Sequence, residues 1–211
     1  MDLPIEWRHD IRSFFKDPSG KQGTPFREIR LDNPMPWQDI HKEAIELKNR
    51  LIPMAPHTNH NKWMGVSFHG INHHTLRPGN MDQCTWTEIA NKCPITVDWF
   101  KQLPFYKRFG RVCFAWVFSK GWIQPHTDRK NEGLIGINFG VYNPDGSHML
   151  MEPGLYVPWR NGSAFQLDLS FKHAVINRSN EGRLHIICEG ELHDISKYLM
   201  DQPTMFNPNN E

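Results

Sequence analysis

The chain has 211 residues, with 24 Lys and Arg against 23 Asp and Glu, a formal net charge of +1. That length supports a core without disulfide help, and the balanced charge argues against a dedicated nucleic-acid or membrane-surface protein, which needs a positive field. Twelve histidines and eight tryptophans stand out, and histidine serves both as a metal ligand and as a bystander.

The four cysteines (Cys84, Cys93, Cys113 and Cys188) contain no C-x-x-C pair, so no zinc knuckle or thioredoxin-like motif is expected, and Cys113 reads as a buried free thiol. The N-terminus lacks a basic start followed by an apolar stretch, and no apolar run approaches the roughly 20 residues of a membrane helix. The expectation is a soluble, cytoplasmic protein folded as a single domain, residues 1–211, with the sequons at Asn161 and Asn177 as chance matches.

The first 35 residues are rich in turn formers and read as irregular or weakly stranded. Trp37, Ile40, Ala44, Leu47 and Leu51 recur at helical spacing and predict a helix opened by Pro36 and ended by Pro53 and Pro56. A polar, histidine-rich stretch from His57 to Asn80 follows, holding one predicted strand, Trp63 to His69. A second helix is predicted from Cys93 or Pro94 to Leu103, closed by Pro104.

From Arg111 the texture changes. Val112 to Phe118 is an apolar run, mostly aromatic or β-branched, which favours a buried strand. Leu134 to Tyr142 alternates, with Ile135, Ile137, Phe139 and Val141 on one face and Leu134, Gly136, Asn138, Gly140 and Tyr142 on the other. The second face is mostly small, as expected where a strand lines a cavity. After the turn Asn143-Pro144-Asp145-Gly146, short strands are predicted at Leu155–Trp159, Ala164–Leu169, Ala174–Asn177 and Leu184–Glu189. The expected architecture is mainly β: a double-stranded β-helix (jelly roll, cupin-like) over about residues 105–190, with N-terminal helices within 1–104 packed against it. The tail from Gln202 is Pro- and Asn-rich and expected to fray.

The informative string is Gln124-Pro125-His126-Thr127-Asp128. Two residues apart on a strand, His126 and Asp128 leave by the same face and can bind one metal ion. His173, at the start of a later strand, is the candidate third ligand. Two histidines and one carboxylate leave three positions open, the facial triad of non-haem Fe(II) oxygenases, with room for a bidentate cosubstrate and dioxygen (O2). A lone H-x-D also arises by chance, with Asp128 turning the chain and His126 on the surface. Against that, the string lies in a predicted jelly roll, and Arg183 opens the strand after His173, where a guanidinium can clamp a carboxylate with two parallel hydrogen bonds.

The stretch from Trp122 to Cys188 resembles the aspartyl/asparaginyl β-hydroxylase family of 2-oxoglutarate-dependent oxygenases. The resemblance is carried by Gln124 to Asp128, by Gly136 to Val141, and by the run Ser170-Phe171-Lys172-His173-Ala174-Val175-Ile176-Asn177. It implies that His126, Asp128 and His173 hold Fe(II) and that Arg183 binds the distal carboxylate of 2-oxoglutarate. It also implies hydroxylation of an amino acid, free or within a peptide or protein, at the β-carbon of an Asp- or Asn-like residue. Some animal members carry Gly at the position of Asp128, and basic residues where this chain has Gly136 and Asn138. Asn138 is expected to hydrogen-bond the cosubstrate; Gly136 offers no side chain. The reading from a different class is a cupin-like metal- or small-ligand-binding protein without oxygenase turnover, which has no reason to place Arg183 where it is.

Other candidates carry less. The cluster His57, His60, His69, His73 and His74 reads as a polar loop rather than a second metal site, because no Cys or paired carboxylate completes a ligand set. His185 shares strand parity with Arg183 and reads as a hydrogen-bonded core histidine; His148 follows a turn and reads either as a substrate contact or as a solvated loop residue. Lys101, Lys107, Arg108, Arg111, Lys120, Arg129 and Lys130 form a basic run that reads as a solvated rim rather than a steering field. No G-x-S-x-G is present, and Gly133, Gly136 and Gly140 have strand spacing rather than that of a phosphate loop.

Overall fold

The computed structural model describes residues 23–54, 62–74, 80–128 and 135–201. In chain order the strands are β1 (Phe26–Ile29), β2 (Ile52–Pro53), β3 (Trp63–Gly70), β4 (Thr85–Trp86), β5 (Tyr106–Val117), β6 (Trp122–His126), β7 (Ile135–Tyr142), β8 (Ser147–Met151), β9 (Leu155–Tyr156), β10 (Ala164–Leu167), β11 (His173–Asn177) and β12 (Arg183–Leu192). Two α-helices, Trp37–Glu46 and Pro94–Lys101, precede β5.

The strands form two antiparallel sheets. The larger runs β1-β10-β7-β12-β5-β3-β2, with β4 added to β3, and the smaller runs β6-β11-β8-β9. From β5 onward the chain passes back and forth between them, which is the double-stranded β-helix expected from the sequence. No helix among the described residues is long and apolar enough to cross a membrane.

The large sheet is covered on both faces, and this explains the continuous apolar run of β5. One face carries Val112, Phe114, Trp116, Ile137, Phe139, Val141, Leu184 and Ile186, packed on Ile40, Ala44, Leu47, Val97, Trp99 and Phe100 from the helical layer. The other face meets the small sheet through a second cluster that includes Val117, Ile123, Met149, Met151, Phe165, Phe171 and Val175. The inner row of β7 is Gly136, Asn138 and Gly140, and at Gly140 other groups fold close over the strand. A Cβ on Gly140 would lie 2.7 Å from Asn143 Nδ2 and 2.9 Å from the Arg160 carbonyl oxygen.

Some expectations shift. The first helix ends at Glu46 rather than Leu51, and a 3-10 turn, Lys48–Arg50, follows. Leu51 is extended, because the next residues pair with β3. The second helix stops at Lys101. β5 begins six residues before the apolar run, at Tyr106, because Tyr106 to Phe109 pair with the far end of β12. β8 has no sequence forecast: Ser147-His148-Met149-Leu150-Met151 does not alternate, and it becomes a strand by pairing with β11. The cysteines are all free thiols, and Cys113 is fully buried. The start of the chain to residue 22, His57, His60, Arg129, Lys130, Gly133, Leu134 and the tail from Gln202 lie outside the described residues.

The two helices are tied by one buried carboxylate. Glu43 accepts hydrogen bonds from the Ile95 and Thr96 amides at 2.8 and 2.9 Å and from the Thr96 hydroxyl at 2.6 Å, capping the second helix. Hydrogen bonds to a charged group contribute about 1.5–3 kcal/mol each. Glu43→Ala is therefore expected to cost about 3 kcal/mol, read from the urea unfolding midpoint; a loss under about 0.5 kcal/mol, the scale of ordinary surface changes, would contradict the cap.

Candidate metal centre

β6 and β11 lie side by side in the small sheet, and their register pairs His126 with His173. The local fold prepares both imidazoles in the same way. His126 Nδ1 donates to the Gln124 carbonyl at 2.8 Å, and His173 Nδ1 donates to the Phe171 carbonyl at 3.0 Å. A carbonyl only accepts, so the proton is on Nδ1 in each ring, and Nε2 is the nitrogen that offers a lone pair. Phe171, buried between the sheets, anchors the carbonyl that orients His173.

Asp128 completes the group, though not from the strand itself. β6 ends at His126, and Asp128 is set two residues beyond by its own amide, which donates to the Leu169 carbonyl at 2.9 Å. Its carboxylate oxygens lie 3.6 Å from His126 Nε2 and 3.8 Å from His173 Nε2. The three potential ligand atoms fall within 4.8 Å of one another, and among the described residues this is the one such group of His, Cys, Asp or Glu. Burial grades across it: His173 is enclosed, His126 intermediate and Asp128 exposed, so one side of the centre opens to solvent.

Deeper between the sheets, at the opposite end of β11, lies Arg183. It is 5% exposed and no carboxylate pairs with it among the described residues. Nη2 donates to His185 Nδ1 at 3.1 Å, and His185 Nε2 in turn donates to Asn143 Oδ1 at 2.5 Å. The Trp159 ring covers the guanidinium at 5.8 Å from its centroid and meets the His185 ring edge-on at 4.3 Å. Burial alone pushes Arg183 down to about 9, still cationic at neutral pH. A buried guanidinium without an anion is costly. The polar atoms between the sheets are also incomplete: among the described residues, Arg183 Nε, Asn143 Nδ2, Ser147 Oγ, Trp159 Nε1 and Asn138 Oδ1 are buried without hydrogen-bond partners. Such a set suits an anionic, hydrogen-bonding ligand.

Every candidate residue named from the sequence except Asp128 thus lies on a strand of the barrel, with Asn138 on the inner row of β7 between Arg183 and the triad end. Asn143, Trp159 and Ser147 had no forecast as site residues. Asn143 reads as a turn former, and its second use depends on β12 bringing His185 beneath it.

The other histidines divide as follows. His69 Nδ1 bonds the Gly110 carbonyl at 2.6 Å and packs edge-on against Trp86. His73 pairs with Glu88 and lies against His74. His148 is part of β8, not a loop, and packs edge-on to Tyr156.

Burial sets a pH dependence. In His173 burial acts with the neighbouring His126, and in His185 with Arg183, to hold the imidazoles well below the usual histidine range. Both rings are neutral in the folded protein, and both take up a proton in the unfolded chain below about pH 6.5. Their contribution is full above that pH and is lost as pH falls, approaching about 1.4 kcal/mol per pH unit for each. The metal-free protein is expected to lose roughly 2 kcal/mol between pH 6.5 and 5.5, measured by urea unfolding; an unchanged midpoint would show that neither ring is buried neutral.

Residues 35–191 match the family model described as aspartyl/asparaginyl β-hydroxylase. No curated protein sequence matches the chain. Among solved structures, it is similar to a prolyl-4-hydroxylase from Pseudomonas putida, at 14% identity and a TM-score of 0.48 over 80% of this chain and 93% of that one. An oxidoreductase of the 2OG-Fe(II) oxygenase family from Burkholderia pseudomallei aligns at 14% identity and TM-score 0.45, covering 71% and 77% of the two chains. A viral collagen prolyl hydroxylase from Paramecium Bursaria Chlorella virus-1 aligns at 13% identity and TM-score 0.43, covering 79% and 96%.

Proposed function

The chain belongs to the aspartyl/asparaginyl β-hydroxylase family, and on that premise we propose that it hydroxylates an amino acid, free or within a peptide, using Fe(II), 2-oxoglutarate and O2. The observation that carries this reading is the pairing of the His126–Asp128–His173 group with a buried guanidinium that no acid among the described residues neutralises. A metal-binding protein without turnover has no use for the second feature.

In this reading His126 and His173 hold the iron through Nε2, with their rings fixed by the Gln124 and Phe171 carbonyls, and Asp128 supplies the carboxylate. Arg183 takes the far carboxylate of 2-oxoglutarate, and the chain of hydrogen bonds through His185 to Asn143 holds the guanidinium at a fixed angle. Asn138 offers its amide between the two ends. Trp159 keeps water from the Arg183 end, which strengthens the charge-assisted bonds there. When bound, iron and 2-oxoglutarate together supply the oxidising power: O2 and 2-oxoglutarate become succinate and carbon dioxide, and one oxygen atom enters a C–H bond of the substrate. The protein's share would be orientation: Arg183 would fix the far end of the cosubstrate, the two histidines and Asp128 would hold the iron, and Asp128 stands on the side of the group that is exposed to solvent.

Anaerobic addition of Fe(II) and 2-oxoglutarate tests the assignment. The expected result is a metal-to-ligand charge-transfer absorption that requires both components. Its absence from a folded, iron-loaded sample would leave only a metal-binding protein of the same fold.

A further inference from the structure

Arg111 on β5 and Glu189 on β12 form an ion pair at 2.5 Å on the face of the large sheet that looks toward the small one. Val117, at the other end of β5, pairs with Arg183, so Arg111 lies about 20 Å along the strand from the guanidinium clamp, at roughly 3.3 Å per residue. It is therefore at the triad end, and the charge of Asp128 acts on both members of the pair. The pair is enclosed but not sealed, with side-chain exposures of 11% and 14%.

Three features fit a ligand site better than a purely structural bridge. Glu189 Oε1 accepts from Arg111, but Oε2 is buried without a hydrogen-bond partner among the described residues, so that oxygen lacks a donor. A buried ion pair is well stabilised only when its remaining lone pairs are satisfied. Gly136 is the residue of β7 that faces Glu189, and among the described residues a Cβ there would meet only Leu169 Cδ1 within 4 Å, at 3.8 Å, so the described part of the row leaves space beside the pair. Finally, positive and negative groups stand side by side, next to the proposed iron site.

We propose that Arg111 and Glu189 are the specificity-determining residues of this enzyme, and that they select a free α-amino acid. Arg111 takes the α-carboxylate, and Glu189 Oε2 accepts from the α-ammonium. One ion pair then becomes a four-charge arrangement in which every charge has an opposite neighbour. A residue inside a peptide has neither backbone charge and leaves the site uncompensated. This choice of substrate class rests on the oxygenase reading above.

The test is anaerobic calorimetry of the Fe(II)- and 2-oxoglutarate-loaded protein with the twenty common amino acids, their N-acetyl and carboxamide forms, and short peptides containing the same residues. At least one free amino acid is expected to bind, and acetylation or amidation is expected to weaken it tenfold or more. Glu189→Gln is expected to reduce the discrimination against the N-acetyl form. Because breaking one side of the pair can unfold the protein, the paired replacement Arg111→Met with Glu189→Leu is the second variant: it is expected to fold, to retain 2-oxoglutarate binding and to lose the amino acid. Peptides that bind more tightly than the free amino acid, indifference to acetylation and amidation, or no binding by any of the twenty would overturn the proposal. If 2-oxoglutarate binds and no amino acid does, this proposal alone falls. If an amino acid binds in a Glu189-dependent way while Fe(II) and 2-oxoglutarate do not, the recognition site stands and the oxygenase reading falls.

Discussion

Replacing His173 with alanine is expected to abolish iron-dependent formation of succinate from 2-oxoglutarate. Loss of a partner behind a metal ligand already costs a site roughly 10–100-fold, and His173 is proposed as a ligand itself. It is the most enclosed of the three candidates, and its Nδ1 bond to Phe171 fixes its approach. Iron content after dialysis should fall with activity. The fold should survive, because the strand is held by its ladders to β6 and β8 and by Asn177 at its other end, where Nδ2 donates to the carbonyls of Val117, Phe118 and Glu181. The variant should also lose about half of the acid sensitivity assigned to His173 and His185. Persistent iron-dependent turnover would mean that the third ligand lies elsewhere.

Replacing Arg183 with methionine is expected to produce a split result. The cosubstrate loses two charge-assisted hydrogen bonds of about 1.5–3 kcal/mol each, which raises the 2-oxoglutarate requirement by about 100-fold or more, at roughly 1.4 kcal/mol per factor of ten. Iron binding should be unaffected. The ligand-free protein should become no less stable, and even more so, since a buried guanidinium without an anion is replaced by an apolar side chain of similar length. Titration of the charge-transfer band gives the first quantity and urea unfolding the second. An unchanged 2-oxoglutarate requirement would move the clamp to another residue; a large loss of stability would make Arg183 a structural residue.

The sequence foretold β7 well because alternation is a local property. Ile137, Phe139 and Val141 face the helices, and Gly136, Asn138 and Gly140 face inward, as the pattern requires. It was silent on β8, whose residues show no period and take their conformation from β11. The basic run was the least reliable local signal. Lys107 pairs with Glu191, Arg108 with Asp82 and Arg111 with Glu189, all acids distant in sequence, and Lys120 bonds the Arg178 carbonyl. At the three ion-paired positions the charge is cancelled in space, and the one enclosed pair among them is the one proposed to select substrate.

The sequence by itself determined the jelly roll and the chemical types at four positions, because strand periodicity and ligand spacing are written in near neighbours. His126, Asp128, His173 and Arg183 are nameable as candidates without coordinates. Only the tertiary structure decided that both histidines carry their proton on Nδ1, that Asp128 reaches them from beyond the strand end, and that Arg183 is enclosed with no acid among the described residues to neutralise it. It alone brought Asn143, Trp159 and His185 around that guanidinium, and Glu189 to Arg111. The reason is physical: a residue's backbone preference is set by its neighbours, whereas its charge state and partners are set by what two packed sheets bring within a few ångströms of it.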